Sequence, residues 1–160
     1  MARIELPAGD QDELSRLYAM NPELTGAAAG YSAAVYASDV VPVRVRELMR
    51  LRIAQINHCQ ICLDTRVADL SEHGLTEADC ERVGEWATWP GFSAAERLAI
   101  EYADRFALDH LALDDRWFAG AREHFTDSQL HAMALMIGSW IALGRMQAVF
   151  DVSTACAIRL

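Results

Sequence analysis

At 160 residues the chain is long enough to bury one core, and its 52% apolar and 23% charged content is that of an ordinary globular protein. All 14 basic residues are arginine, which excludes a Schiff-base lysine and a P-loop lysine together. A formal net charge of −9 argues against nucleic acid or anionic lipid as a partner, because a phosphate surface needs a basic face.

No apolar run approaches the ~20 residues that cross a bilayer. The start Met1-Ala2-Arg3-Ile4-Glu5 lacks the ordered regions of a signal peptide. The expectation is one domain over residues 1–160, located in the cytoplasm and away from membranes.

In chain order, the punctuation is helical. A first helix is expected over 11–19. Asn21-Pro22 sets a cap residue before a proline at the first helical position, and the alanine-rich stretch 22–38 follows. Pro42 starts 43–56 in the same way. Asn57 reads as the N-cap of a helix over 58–73, which Gly74 ends. Thr76-x-x-Asp79, Ser93-x-x-Glu96 and Thr126-x-x-Gln129 have the form of capping boxes opening 77–88, 94–109 and 127–155, with 114–124 between the last two. Leu98, Tyr102, Arg105/Phe106 and Asp109 step by three or four, as do Leu130, Ala134, Ile137 and Ile141. A break in the last helix is expected near Gly144. No run alternates at strand spacing, and the short connections favour antiparallel neighbours. The fold class is therefore all-α, a bundle of about seven to nine helices with no sheet.

Four cysteines occur, and two of them, Cys59 and Cys62, are closely spaced. A secreted disulfide framework would be denser, so a cytosolic redox or metal pair fits better. In the first turn of helix 58–73 Cys59 would feel the positive end of the helix, which stabilises a thiolate. Cysteines at i and i+3 share a face and form a disulfide with little rearrangement. A half zinc site is the competing reading, but zinc needs four ligands and no second pair follows; His58 and His73 are not at a familiar spacing. The redox pair is preferred, with no metal and no cofactor expected.

If 43–56 and 58–73 form a hairpin turning at Asn57, Glu47 and Arg66 both lie ~14–15 Å from the turn and face each other. Arg66 is also one turn beyond Cys62. Cys62, Arg66 and Glu47 are then one cluster; the plain alternative is a surface ion pair worth under ~1 kcal/mol. Arg44, Arg46, Arg50 and Arg52, with Glu47 among them, read as a solvated or interface helix face. His58 adjoins Cys59 and is an auxiliary candidate, although adjacent helical residues point apart; a plain core or surface histidine is preferred. His110, His124 and His131 read as solvated or capping. Trp86, Trp89, Trp117 and Trp140, with Tyr102 and Phe106, read as core or subunit interface rather than a substrate box. Cys80 and Cys156 read as small apolar packing residues.

The stretch Glu47-x11-Cys59-x2-Cys62, with Arg50-Leu-Arg-x-Ala-x-x-Asn57 inside it, resembles the alkylhydroperoxidase-D-type core of the carboxymuconolactone decarboxylase family. The resemblance continues through Gly74-Leu75-Thr76, Phe92-Ser93-x-x-Glu96-Arg97, Phe125-Thr126-Asp127 and an apolar helix with Gly144-Arg145, so it covers about residues 30–152. It implies an all-helical fold, a trimeric or hexameric homo-oligomer, and reduction of peroxides at the expense of a dithiol electron donor. It also implies that Cys62 attacks, Cys59 resolves and Glu47 relays protons.

Arg66 stands where the family's relay histidine is expected. An arginine stays charged and cannot return a proton near neutrality. It would favour the Cys62 thiolate and keep Glu47 ionised. Peroxidase turnover would fall by the ~10²–10⁴-fold that general acid–base help supplies, unless another group substitutes. Two other functions stay open: a lyase decarboxylating a lactone acid, a branch that does not rely on the thiol pair, and a non-enzymatic oligomeric redox sensor or binding protein.

Overall fold

The computed structural model describes residues 2–152. Cys156 and the end of the expected last helix lie outside them. Among the described residues there are eight α-helices and no strand: α1 Glu13–Ala19, α2 Pro22–Ala37, α3 Val43–Ile56, α4 Gln60–Asp64, α5 Glu77–Arg82, α6 Ala94–Leu108, α7 Asp115–Ala121 and α8 Asp127–Phe150. Short 3₁₀ turns occupy Leu70–His73, Val83–Glu85 and His110–Ala112.

The three expected capping boxes all form. Thr76, Ser93 and Thr126 each accept from the backbone N–H three residues on, and Asp79, Glu96 and Gln129 return the bond. Asn21 starts α2 without a side-chain cap bond, leaving Pro22 to set the first turn.

α3 lies at the centre, packed against both α6 and α8. One side of it (Val45, Met49, Ile53) joins Tyr102 and Ala103 of α6 and Met133, Met136 and Ile137 of α8 in the main core. Its other side (Leu48, Leu51) joins Leu75, Cys80, Val83, Phe92 and Ile100 in a second core. Cys80 thus packs as a small apolar residue, and burial pushes its thiol pKa up. Against the expectation that no apolar stretch approaches bilayer length, α8 is apolar and long enough to span one by composition alone, although Leu130, Met133, Ile137 and Trp140 are buried in this core. α2 is the contrast: Val35 is its buried residue, while Leu24 and Tyr31 stand exposed.

The arginine cluster is not a solvated face. Arg46 and Arg50 are buried, Arg44 bonds Asp79 and Glu96, and Arg52 pairs with Asp104. With cores on both sides, α3 leaves only part of Arg44, Arg52 and its ends in reach of water, so the charges of Arg46, Glu47 and Arg50 must find partners inside.

Gly144 does not break α8, which runs through it to Phe150. The glycine is used for close approach: a Cβ there would lie 2.7 Å from Asn57 Nδ2. Asn57 Nδ2 donates to the Trp140 carbonyl at 3.0 Å and its Oδ1 accepts from Arg145 Nε at 3.0 Å, clipping the end of α3 to α8. Gly144→Ala gains ~1 kcal/mol of helix propensity but displaces a buried amide whose lost bond costs ~1–3 kcal/mol. The clip outweighs the propensity gain: the variant is expected to lose up to ~2 kcal/mol, a fall in Tm of up to ~8 °C followed by circular dichroism.

Candidate functional site

The site is built where α3 ends. Asn57 is the C-cap of α3, not the N-cap of the next helix. The His58 N–H bonds the Gln55 carbonyl at 3.1 Å and the Cys59 N–H bonds that of Ala54 at 3.0 Å, the paired closure of a Schellman motif. His58 takes the left-handed position at φ 53°, a conformation in which non-glycine residues are uncommon. The chain then turns extended at Cys59, which is the N-cap of α4 rather than a first-turn residue. Its sulfur takes the capping role, accepting from the Cys62 N–H at 3.4 Å.

Cys59 and Cys62 are joined by a disulfide with their Cα atoms 5.3 Å apart. The two differ in access: Cys59 is 5% exposed, whereas Cys62 is half-buried.

The expected helix 58–73 is only the five residues of α4. Thr65 closes it, its hydroxyl and N–H both bonding the Ile61 carbonyl. Arg50 holds the same end from outside. Its guanidinium donates to the Cys62 carbonyl at 2.7 Å and the Thr65 carbonyl at 2.9 Å. In a continuing helix the Cys62 carbonyl would instead take the amide of residue 66.

This changes the place of Arg66. It bonds Glu77 Oε2 at 3.1 Å and the carbonyls of Leu63 and Thr65, partly exposed and away from Glu47. The expected Glu47–Arg66 contact is not made, because the backbone leaves the helix before residue 66. Glu47 pairs instead with Arg50 Nε at 2.8 Å, with Arg46 Nε 3.6 Å away on its other oxygen. Two guanidiniums and one carboxylate, all three residues under 7% exposed, leave a net positive charge beside the segment that carries Cys62. A cation there favours the thiolate once the disulfide is reduced.

Arg50 is the residue that sequence reasoning missed. A signal was available: Glu47 and Arg50 sit at i and i+3 between leucines and methionine, an ion pair embedded in an apolar helix.

Cys62 opens on a cavity of about 170 Å³. Ile53, Ile61 and Leu143 supply apolar wall, Tyr36 and Trp140 aromatic wall, and Arg50 lies at its edge. Trp140 therefore belongs to the cavity as well as to the core, while Tyr102, Trp117 and Phe118 pack as core aromatics with ring centroids 4.8–6.1 Å apart. Arg46 stacks 5.6 Å from the centre of the Tyr36 ring and bonds its carbonyl at 3.0 Å. His58 is exposed and is not among the cavity's lining residues.

Residues 22–105 match the model of the carboxymuconolactone decarboxylase family, and the chain belongs to that family. It is 30% identical over 115 residues to the uncharacterized protein YnjA of Escherichia coli K12, an alignment covering 72% of this chain and 63% of that protein, so it spans just under two thirds of that relative. The fold is close to that of a protein of unknown function from Agrobacterium tumefaciens assigned in name to antioxidant defence as AhpD: TM-score 0.78, 22% identity, 98% of this chain and 99% of the other. A peroxidase-related protein of Ralstonia eutropha with an alkylhydroperoxidase AhpD core superposes with TM-score 0.75 at 17% identity, covering 89% and 76%.

The two arginines now make opposite predictions. Arg50→Ala leaves the buried Glu47 carboxylate with Arg46 at 3.6 Å as its remaining ion-pair partner and takes a donor from the Cys62 and Thr65 carbonyls, and is expected to cost ~3–5 kcal/mol. Arg66→Ala removes a partly exposed pair and is expected to cost under ~1 kcal/mol. Urea unfolding of both variants measures the difference.

Proposed function

We propose that the chain is a thiol-dependent oxidoreductase that reduces peroxides through Cys62 and Cys59. The observation that carries this reading is the asymmetry of the pair: Cys62 borders the cavity, while Cys59 is buried one turn behind it. That is the arrangement an attacking and a resolving thiol require. The Cys62 thiolate attacks the terminal oxygen of the peroxide, the O–O bond breaks, and a sulfenic acid and an alcohol or water result. Cys59 then displaces the sulfenic oxygen as water and closes the disulfide, which an external dithiol reduces again. Reducing cytoplasm is the compartment that supplies such a donor.

The charges fit these roles. Arg50 and Arg46 provide the cation for the thiolate. Glu47 is held in an ion pair and anchors Arg50. The lyase that shares the family name does not explain a disulfide facing the cavity.

The exposed apolar side chains of α2 and α8, among them Leu24, Tyr31, Leu135 and Val149, support a homo-oligomer in which these faces are covered. A trimer or hexamer is expected by light scattering, and a 17.7 kDa species at micromolar concentration would refute it.

The activity is tested by peroxide consumption coupled to a dithiol donor. Wild type is expected to turn over. Cys62→Ser is expected to fall to background, and pre-reduced Cys59→Ser, assayed without the dithiol, to consume about one equivalent and stop. Wild-type rates in Cys62→Ser would end the reading.

A further inference from the structure

Attack by a thiolate on a peroxide leaves an alkoxide that needs a proton, and the charged residues at this site are badly placed to give one. Arg50 and Arg46 are permanent cations, Glu47 is ion-paired, Arg66 is bound to Glu77, and His58 is exposed and does not line the cavity. Tyr18, Ser32 and Gln147 also line the cavity, but Tyr36 and Trp140 are the neutral polar pair that interacts both with one another and with the Arg50–Glu47 charges. Tyr36 reaches the cavity from α2, fixed by the Arg46 guanidinium over its ring and by Arg46 on its carbonyl. Trp140 comes from α8, and its Nε1–H is buried without a hydrogen-bond partner. The indole lies near enough to the Tyr36 hydroxyl to influence it, yet makes no bond of good geometry with it. A buried donor with no acceptor, facing a cavity, is completed by an oxygen that arrives with a ligand.

We propose that Tyr36 is the proton donor of this site, its hydroxyl and the Trp140 Nε1–H holding the leaving oxygen of an organic peroxide across the cavity from Cys62. The proposal rests on the peroxide reading above and adds to it the group that replaces a histidine relay. The S–O bond forms at Cys62 as the O–O bond breaks; the departing alkoxide takes the phenolic proton and leaves as the alcohol. Solvent then reprotonates the phenolate. Cys62 is oxidised by two electrons to the sulfenic acid and the peroxide is reduced by two.

The protonation state agrees. Burial pushes the Tyr36 hydroxyl above its ordinary pKa, with Arg50 opposing and Glu47 adding to the shift, so the phenol carries its proton at neutral pH. As the alkoxide develops, the same Arg50 is the nearby charge that favours a transient phenolate.

The test uses leaving groups. Reduced full-length protein is oxidised in single turnover by tert-butyl hydroperoxide, whose alkoxide needs a proton, and by peracetic acid, whose carboxylate leaves without one. Iodoacetamide gauges the thiolate independently. Tyr36→Phe is expected to slow the alkyl hydroperoxide reaction by ~10²-fold while the peracid and alkylation rates stay within about twofold of wild type. Equal slowing of all three would mean that Tyr36 only supports the fold and would overturn the proposal, as would an unchanged alkyl hydroperoxide rate. A wild-type protein that reacts with iodoacetamide but with neither peroxide would instead refute the peroxide reading beneath it.

Discussion

The guanidinium of Arg50 is bonded to three acceptors from two elements: the Glu47 carboxylate on its own helix and the carbonyls of Cys62 and Thr65 on the next. A buried arginine is costly unless each of its donors is satisfied, and a buried glutamate is costlier alone. Each therefore requires the other, and together they require α4 to end where its carbonyls are free. The short helix, the position of Cys62 at the cavity and the displacement of Arg66 all follow from that one requirement. Energetically the pair is a constraint more than a source of stability, because desolvating two charges offsets most of their attraction.

The helical order of the chain was legible because local signals agreed with one another. Three capping boxes and an Asn-Pro start marked helix beginnings, and apolar steps of three and four marked core faces. All of these depend on residues near in sequence. The thiol pair was legible for the same reason, since Cys59 and Cys62 are three apart. The hairpin geometry was not. Asn57 is a good residue for either end of a helix, and only the left-handed turn at His58 decides that it closes α3. That turn is stabilised by a tertiary contact, the amide of Asn57 against α8 at Gly144, which no local pattern announces.

Arg66 and Arg50 show the same limit from another side. On a regular helix Arg66 lies one turn from Cys62, and the sequence offers no reason to end the helix at Thr65. The reason is Arg50, fifteen residues earlier, donating to the Thr65 carbonyl. An arginine among other arginines reads as surface, yet the two cores on either side of α3 enclose it. Burial of a charged residue is a property of neighbours distant in sequence, so it appears only once they are in place.

Within the proposed chemistry, this rearrangement divides work that one histidine would combine. A relay histidine both encourages the thiolate, by accepting its proton, and later returns a proton to the leaving group; its pKa must suit both steps. A fixed guanidinium favours the thiolate at any pH near neutral but can return nothing. A buried phenol does the reverse: it keeps its proton until a strongly basic oxygen forms beside it. Arg50 and Tyr36 face the same cavity from α3 and α2, so the two tasks fall to separate side chains that influence each other through their charges. The arrangement favours substrates whose leaving oxygen is basic enough to draw a proton from a phenol, and alkoxides are of that kind.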